Sequence, residues 1–112
     1  MKIKTATLTG PALDWAVATC ERRPYSVILD EIKGALPLLA PIFSPSTDWA
    51  QGGPIIEREG IRLHRSSTGD WWAGPESDPH RPVSGPTPLI AAMRCYVASK
   101  MGDTIDIPEE LA

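Results

Sequence analysis

The pattern of apolar and polar positions near the start of the chain has the period of an α-helix. Leu13, then Ala16 or Val17, and then Cys20 recur three or four residues apart, and this spacing places them on one face of a helix. Pro11 suits the first helical position, where an N–H group would have no partner inside the helix. Asp14 is expected in the first turn, where a carboxylate interacts favourably with the positive end of the helix dipole.

A second and longer helical pattern lies near the end of the chain. One apolar stripe recurs at helical spacing and is formed by Ile90, Met93, Val97 and Met101. Thr87 is a good N-cap, Pro88 fits the first helical position, and Gly102 ends the helix because glycine adopts a positive φ at little cost. These signals predict a helix over about residues 88–101.

Between the two helices, alternating apolar and polar residues predict strands. Residues 55–58 and 61–65 flank Glu59-Gly60, which is the pattern of a β-hairpin. Residues 70–73 predict a third strand, and residues 104–107 a short edge strand. The sequence therefore predicts an α+β fold in which a small antiparallel β-sheet is packed on one face by two α-helices.

The length of 112 residues fits a single domain over 1–112, and 9 glycines and 12 prolines indicate that it is loop-rich. Residues 74–84 are rich in proline and predict a mobile surface loop, and residues 108–112 predict an acidic, solvated tail. Residues 25–29 fit a strand and residues 30–39 fit a short interrupted helix. Both of these assignments stay open.

Composition and spacing exclude several classes of partner. The net charge of −3 argues against duplex DNA, because proteins that bind it usually present a broad basic face. Cys20 and Cys95 lie far apart with no histidine at metal-ligand spacing, which favours two buried free thiols. No apolar run has transmembrane length, and residues 1–7 lack a signal-peptide core. We therefore expect a cytosolic protein without metal, cofactor or membrane contact.

Three blocks of the sequence together resemble a known family. They are found in residues 1–18 (MKIKT, LTG and ALDWAVA), 44–60 (SPSTDWAQGGPIIEREG) and 85–102 (GPTPLIAAMRCYVASKMG). In order and wording they resemble the NinX-like family of small proteins from tailed bacteriophages and prophages. The resemblance implies a phage accessory protein in the cytoplasm of the bacterial host. It supplies no catalytic set, so no active site is carried over.

Residues 44–54, SPSTDWAQGGP, carry much hydrogen-bonding chemistry for a stretch that has the composition of a loop. In the structural interpretation, serine, threonine and aspartate form a self-capped turn through bonds from side chain to backbone. In the functional interpretation, an indole lies next to a glycine pair whose N–H groups can approach an anion. The second interpretation predicts ligand contacts by Ser46, Thr47, Asp48, Trp49, Gln51, Gly52 and Gly53.

Tryptophan is frequent, with four residues in the chain. Trp15, on the first helix, fits the core. Trp71 and Trp72 are neighbours on a predicted strand, and neighbouring strand residues point to opposite faces. Both cannot enter the same core, so one of them is expected to be available, like Trp49, to stack on a nucleobase.

Arginines complete the candidate site. Arg58 and Arg62 lie on or near the predicted hairpin, where the structural interpretation pairs them with neighbouring glutamates. Arg94 lies near the apolar stripe of its helix, and a half-buried guanidinium normally needs a carboxylate or phosphate partner. Either Asp48 or Glu57 supplies that partner inside the protein, or a ligand phosphate does.

Three functions from different classes fit these features. The first is a non-catalytic counter-defence binder that sequesters a nucleotide-derived host immune signal. In it the aromatic rings stack on the base, Gln51 and the glycine amides contact polar edges, Asp48 accepts from ribose hydroxyls, and arginines bind phosphate. The second is an adaptor or inhibitor of a host enzyme, and the third is a small nucleotide-modifying hydrolase, for which the sequence shows no catalytic constellation. A domain this small rarely encloses a nucleotide alone, so we expect a homodimer or higher homo-oligomer.

Overall fold

The computed structural model describes residues 1–22, 43–75 and 82–111. Within these ranges the helices are α1 (Gly10–Cys20), α2 (Trp49–Glu59) and α3 (Pro88–Met101). The strands are β1 (Lys2–Lys4), β2 (Ile61–Arg65), β3 (Trp71–Pro75), β4 (Val83–Gly85) and β5 (Thr104–Asp106). Short 3₁₀ turns lie at Thr5–Thr7 and Glu109–Leu111. The assignments predicted for residues 25–39 lie outside the described residues.

The described strands form two small antiparallel sheets. β1 pairs with β5, with Ile3 opposite Ile105. β2, β3 and β4 form a meander in which Ala73 lies between Leu63 and Val83. The predicted α+β class is confirmed. The edge strand predicted over residues 104–107 is confirmed as β5. Its partner β1 was not predicted, because its three residues are too few to show an alternating pattern.

α3 is the central element of the described fold, since it packs on the three-stranded sheet and also contacts α1 and α2. Its predicted ends are confirmed. The Thr87 Oγ1 accepts the Ile90 N–H at 3.1 Å, and Gly102 follows the helix with a φ of 87°. The buried side of α3 is broader than the predicted stripe and includes Met93 and Val97 from it, whereas Ile90 is half-buried and Met101 is 40% exposed. It comprises Leu89, Ala91, Ala92, Met93, Cys95, Tyr96 and Val97.

A glycine fixes the N-terminal end of α3 against the sheet. Gly85, the last residue of β4, lies so close to the helix that a Cβ atom there would be 2.7 Å from the Ala91 nitrogen. The missing side chain lets the strand and the first turn of α3 touch directly. This contact determines where the first residues of α3 lie relative to the sheet.

The sequence predicts a loop up to residue 54 and a strand over residues 55–58, and both predictions are wrong because Trp49–Glu59 forms α2. The Asp48 Oδ1 caps the helix by accepting the Ala50 N–H at 2.9 Å, and Ile55 is buried in the core. The glycine that follows the last helical residue is left-handed, with a φ of 64°. Caps and burial outweigh the low helix propensity of this segment. Relative to alanine, each glycine in a helix costs about 1 kcal/mol and an interior proline about 3 kcal/mol.

A β-hairpin does occur, but it joins β2 to β3. In its turn the Ser66 N–H donates to the Asp70 carbonyl at 2.8 Å, and Gly69 has a φ of 97°. The strand predicted over residues 61–65 is therefore confirmed, and the one predicted over residues 70–73 is found at Trp71–Pro75. The predicted pairing of residues 55–58 with residues 61–65 is wrong.

The first predicted helix is confirmed as α1, whose Leu13 and Ala16 are fully buried. Trp15 is also buried, as predicted for a core residue. Cys20 and Cys95 are free cysteines, as predicted, but only Cys95 is fully buried, whereas Cys20 is half-buried. Burial raises the pKa of each thiol to about 11, so both are neutral near pH 7 and poor nucleophiles.

β3 and β4 take up both ends of residues 74–84, the segment predicted as a mobile loop. The middle of that segment, residues 76–81, lies outside the described ranges, so the loop and the single domain stay predictions. In the predicted acidic tail, Glu109 and Glu110 are exposed, whereas Leu111 packs against the core.

Candidate ligand-binding site

A pocket of about 250 Å³ lies where the N-terminal ends of α2 and α3 come together. We call it the Trp49 pocket. Trp49 is the one exposed residue among the described aromatic side chains, with 54% of its surface accessible. A large apolar ring left in solvent beside an apolar wall is typical of a binding site. The lining residues are Ser46, Thr47, Trp49, Thr87, Pro88, Leu89 and Ile90.

The turn before α2 uses its polar groups internally. The N–H groups of Thr47 and Asp48 both donate to the Ser44 carbonyl, at 3.1 and 2.9 Å. The Gln51 Oε1 accepts the Ser44 N–H, and the Gln51 Nε2 donates to the Asp48 Oδ2, both at 3.0 Å. The self-capped turn of the structural interpretation is therefore present. Because both oxygens of Asp48 already accept hydrogen bonds, the predicted ribose contact has less support than the cap.

A buried carboxylate joins this turn to α1. The Asp14 Oδ1 accepts the Ser46 N–H at 2.9 Å, and Asp14 is only 7% exposed. Burial raises the pKa of Asp14, while the hydrogen bond from the Ser46 N–H lowers it and partly offsets this shift. Asp14 lies on the second turn of α1, so the prediction that it acts on the helix dipole from the first turn is wrong.

The glycine pair does not form the predicted anion-binding loop, because both residues lie inside α2. Gly52 is a packing residue. A Cβ atom there would be 2.5 Å from the Pro45 carbonyl oxygen and 2.7 Å from the Leu89 Cδ2, and its N–H donates to the Asp48 carbonyl at 2.9 Å. Gly53 has no atom within 4 Å of such a Cβ. The close contact at Gly52 holds α2 against α3 and so gives the Trp49 pocket its width.

Two backbone donors at the pocket have no partner. The first N–H groups of a helix point out of its end without an acceptor inside the helix. The N–H groups of Trp49 and Leu89 donate to no acceptor in the described ranges, and both residues line the pocket. The positive ends of two helix dipoles add to these donors. The pocket therefore combines an indole ring with two open backbone donors, and none of its lining residues is cationic. The Asp48 carboxylate that caps α2 offsets part of the positive end of that helix.

Arg58 lies at the other end of α2 and takes part in an ion-pair network. Its Nη1 and Nη2 donate to the two carboxylate oxygens of Glu21 at 3.0 Å, and its Nε donates to Glu59 at 2.9 Å. The Tyr96 hydroxyl donates to Glu21 at 3.0 Å. Hydrogen bonding by Arg58 lowers the pKa of Glu59. Pairing with a neighbouring glutamate is confirmed, but the main partner, Glu21, is distant in sequence.

Arg94 has neither of the partners that the sequence predicts. Its Nε donates to the Leu8 carbonyl at 2.7 Å and its Nη1 donates to the Ser84 carbonyl at 3.0 Å. Burial lowers the pKa of the guanidinium. The prediction that Asp48 or Glu57 is the internal partner of Arg94 is wrong. Arg94 instead links α3 to the chain before α1 and to β4.

The two sheet tryptophans point to opposite faces of the strand, as the alternation predicts. Trp71 packs against the core, whereas Trp72 lies across from His64 and Ser84 on the other face. Arg62 is exposed and shares that face with His64. None of these residues lines the Trp49 pocket. Of the residues predicted to contact a ligand, the structure brings Ser46, Thr47 and Trp49 together there.

The pocket wall formed by α3 was missed from sequence. Thr87, Pro88, Leu89 and Ile90 were treated only as a helix start. A signal was nevertheless present, since a threonine cap followed by proline marks a helix end with free N–H groups. What the sequence lacks is the information that two such ends meet.

A larger cavity of about 800 Å³ lies between the start of the chain and the C-terminal half of α3. It borders Pro75 and Pro82, where the described ranges end. Cys95 is one of its lining residues, and its thiol is neutral near pH 7 because burial raises its pKa to about 11. Within the described ranges, no cluster of three or more His, Cys, Asp or Glu side chains could hold a metal ion. No helix there is long and apolar enough to cross a membrane.

Comparison with protein families finds a match over most of the chain. Residues 4–100 match the family described as Bacteriophage P22, NinX. This chain belongs to that family. The matched range includes the turn before α2 and the N-terminal ends of α2 and α3, so the whole Trp49 pocket lies in the part shared with other NinX proteins. The resemblance inferred from the three sequence blocks is confirmed, and the protein is a phage accessory protein. No curated protein matches the chain.

Proposed function

We propose that this NinX-family protein is a non-catalytic binder in the cytoplasm of the bacterial host, where it sequesters a nucleotide-derived immune signal in the Trp49 pocket. One observation carries the proposal: the exposed Trp49 lines one pocket with Leu89, and the N–H groups of these two residues, at the starts of α2 and α3, have no partner in the described ranges. An indole face stacks on nucleobases, and helix N-termini bind phosphate. A single site thus offers a partner to both parts of a nucleotide.

Backbone amides replace arginines in this proposal. Arg58 is held in an ion-pair network and Arg94 is held by two backbone carbonyls, so neither is available at the pocket without breaking internal bonds. The amides of Trp49 and Leu89 have no such competitor. Helix N-termini favour an anion by about 0.3–1 kcal/mol, and by up to about 2 kcal/mol when partly buried.

These contributions predict weak binding by one copy. Stacking on one indole contributes about 1–3 kcal/mol, and the two contributions together approach the roughly 4 kcal/mol of a millimolar ligand. The pocket of about 250 Å³ is also smaller than the roughly 300–1,000 Å³ of most ligand sites. Tight sequestration therefore needs a second copy that closes over the ligand, and we propose a homodimer or higher homo-oligomer.

A second candidate function is an adaptor or inhibitor of a host enzyme. It is favoured by the apolar wall of the pocket, formed by Pro88, Leu89 and Ile90 beside the exposed Trp49. An exposed tryptophan above an apolar surface is a frequent centre of protein–protein interfaces. In that case the pocket receives a side chain of the partner.

One uptake experiment separates these functions. The purified protein is incubated with a mixture of cyclic mononucleotides, cyclic dinucleotides and ADP-ribose derivatives and then removed by filtration. The filtrate and the heat-released fraction are analysed by mass spectrometry. Recovery of an intact nucleotide after heating supports sequestration. A converted product indicates an enzyme, and complete recovery in the first filtrate contradicts the sequestration proposal and leaves the adaptor.

A matched pair of variants tests the location of the site. Trp49→Ala is expected to reduce uptake by about tenfold or more, which corresponds to the loss of one stacking contact. The control is Arg62→Ala, which is expected to retain uptake. Arg62 is exposed on the face of the three-stranded sheet that carries His64, and it does not line the Trp49 pocket. Equal loss in both variants, or in neither, would move the site away from the Trp49 pocket.

A further inference from the structure

Asp14 is a buried carboxylate that the proposed function does not use. It lies on α1, is 7% exposed, and contacts the backbone of a residue that lines the Trp49 pocket. Burying a carboxylate without a cationic partner is costly, and such groups are retained where their hydrogen bonds are needed. Asp14 holds one specific donor, the Ser46 N–H, at 2.9 Å.

The position of Ser46 determines the position of Trp49. Only Thr47 and Asp48 separate them, and both of their N–H groups donate to the Ser44 carbonyl, which closes a tight turn. Ser46 itself is 2% exposed, and Pro45 in the same turn touches α2 at Gly52. A shift of the turn relative to α1 would therefore carry the first turn of α2, with its indole and its free N–H, away from α3.

We propose that Asp14 is a positioning residue of the Trp49 pocket: its carboxylate fixes the turn before α2 so that the Trp49 indole faces the N-terminal end of α3. This inference rests on the proposed function for its biological meaning but concerns the geometry of the site itself. It assigns a role to the ALDWAVA block of α1, which lies outside the pocket. Asp14 positions the turn by accepting one hydrogen bond, so a neutral side chain of the same shape that also accepts is expected to hold the turn in the same place.

The test follows Trp49 without any ligand. The protein is labelled with 5-fluorotryptophan, and its ¹⁹F resonances are assigned by single Trp→Phe variants. Asp14→Ala removes the acceptor, and Asp14→Val removes it while filling most of the space, in case the alanine variant does not fold. Asp14→Asn keeps an acceptor oxygen and is the rescue variant.

The expected result is a shifted or broadened Trp49 resonance in Asp14→Ala and Asp14→Val, with Trp72 unchanged as the internal control. Hydrogen exchange of the Ser46 amide is expected to be about tenfold faster or more, because the buried N–H loses its acceptor. Asp14→Asn is expected to restore both readouts. A Trp49 resonance and a Ser46 exchange rate that stay as in the wild type in a folded Asp14→Val protein would overturn the inference.

The outcome is independent of the proposed function. If the wild type captures no nucleotide but Trp49 moves in Asp14→Val, the positioning role stands and the sequestration proposal fails. If the wild type captures a nucleotide and Asp14→Val binds it with unchanged affinity and an unmoved indole, the positioning role fails alone.

Discussion

The two ends of α2 use the same helix in opposite ways. At the C-terminal end, Arg58 bonds to Glu21 and Glu59 and lies 5.7 Å from the centre of the Tyr96 ring. At the N-terminal end, Trp49 is exposed and its N–H has no partner in the described ranges. At the C-terminal end the arginine side chain is bonded to neighbouring residues, whereas at the N-terminal end a backbone donor and an indole remain available to a ligand.

The helix dipole explains why this division is favourable. Cations stabilise the C-terminal end of a helix, and Arg58 lies in the last turn of α2. The N-terminal end favours an anion, but Asp48 satisfies only part of it, through the Ala50 N–H. The difference teaches that Arg58 and Arg94 serve the architecture of the described fold, while the proposed binding site relies on backbone donors and an indole. Each prediction below tests this separation between residues that stabilise the fold and groups that bind the ligand.

Arg94→Ala is expected to have the largest effect on stability. It removes the guanidinium that donates to the part-buried carbonyls of Leu8 and Ser84, which predicts a decrease of about 2–4 kcal/mol in the free energy of unfolding. Urea unfolding measures this directly. If Arg94→Ala instead left stability unchanged and abolished nucleotide uptake, the guanidinium would belong to the site and the separation would be wrong.

The glycine pair provides the next largest contrast. Gly52→Ala places a methyl group against the Pro45 carbonyl oxygen and is expected to cost about 1–3 kcal/mol by overpacking. Gly53→Ala, in the same helix with no atom near its Cβ, is expected to stabilise by roughly 0.5–1 kcal/mol, because alanine has the higher helix propensity. Thermal unfolding of the two variants gives the comparison. Effects of equal sign would contradict the packing assigned to Gly52.

Arg58→Ala tests the C-terminal end of α2 alone. The guanidinium is half exposed, and solvent therefore weakens its ion pairs, so the expected loss of stability is about 0.5–1 kcal/mol. Uptake of nucleotide is expected to be unchanged, whereas Trp49→Ala has the reverse pattern. The measurement is unfolding and uptake on the same two samples. A variant that lowers both quantities would show that the two ends are coupled.

The smallest expected effect is the response to acid, which has opposite signs at the two ends. Burial raises the pKa of Asp14 above 3.8, so its contribution to stability is greatest at low pH and is lost as the pH rises through the raised value. Hydrogen bonding by Arg58 lowers the pKa of Glu59 below 4.5, so its contribution is present above that value and is lost as the pH falls through the lowered one.

Two neutral variants separate these titrations. Urea unfolding between about pH 3 and about pH 6 is expected to show that Glu59→Gln reduces the loss of stability in acid, while Asp14→Asn reduces the loss as the pH rises. If both variants and the wild type showed the same dependence of stability on pH, the pKa shifts assigned to Asp14 and Glu59 would be contradicted.

Local signals predicted the elements whose ends carry strong caps. The threonine cap, Pro88 and Gly102 defined α3 because these residues act through bonds within a few positions of the chain. α2 was missed because its interior reads Gly-Gly-Pro, and the energy that overrides this propensity comes from Pro45 and Leu89 packing against Gly52. The candidate site was predicted in part for the same reason: Ser46, Thr47 and Trp49 are local to the turn, whereas the α3 wall joins them only in space.

The sequence by itself determined the NinX family, the α+β class, the caps of α3, and the placement of Trp71 and Trp72 on opposite faces. These properties depend on residue order and on interactions of short range. The tertiary structure alone decided which polar groups are occupied: Arg94 meets two backbone carbonyls, Arg58 meets Glu21, and Asp14 meets Ser46. Hydrogen-bond partners far apart in the chain are selected by the packing of helices, so the sequence alone could not show which donors, such as the N–H groups of Trp49 and Leu89, stay open in the described ranges.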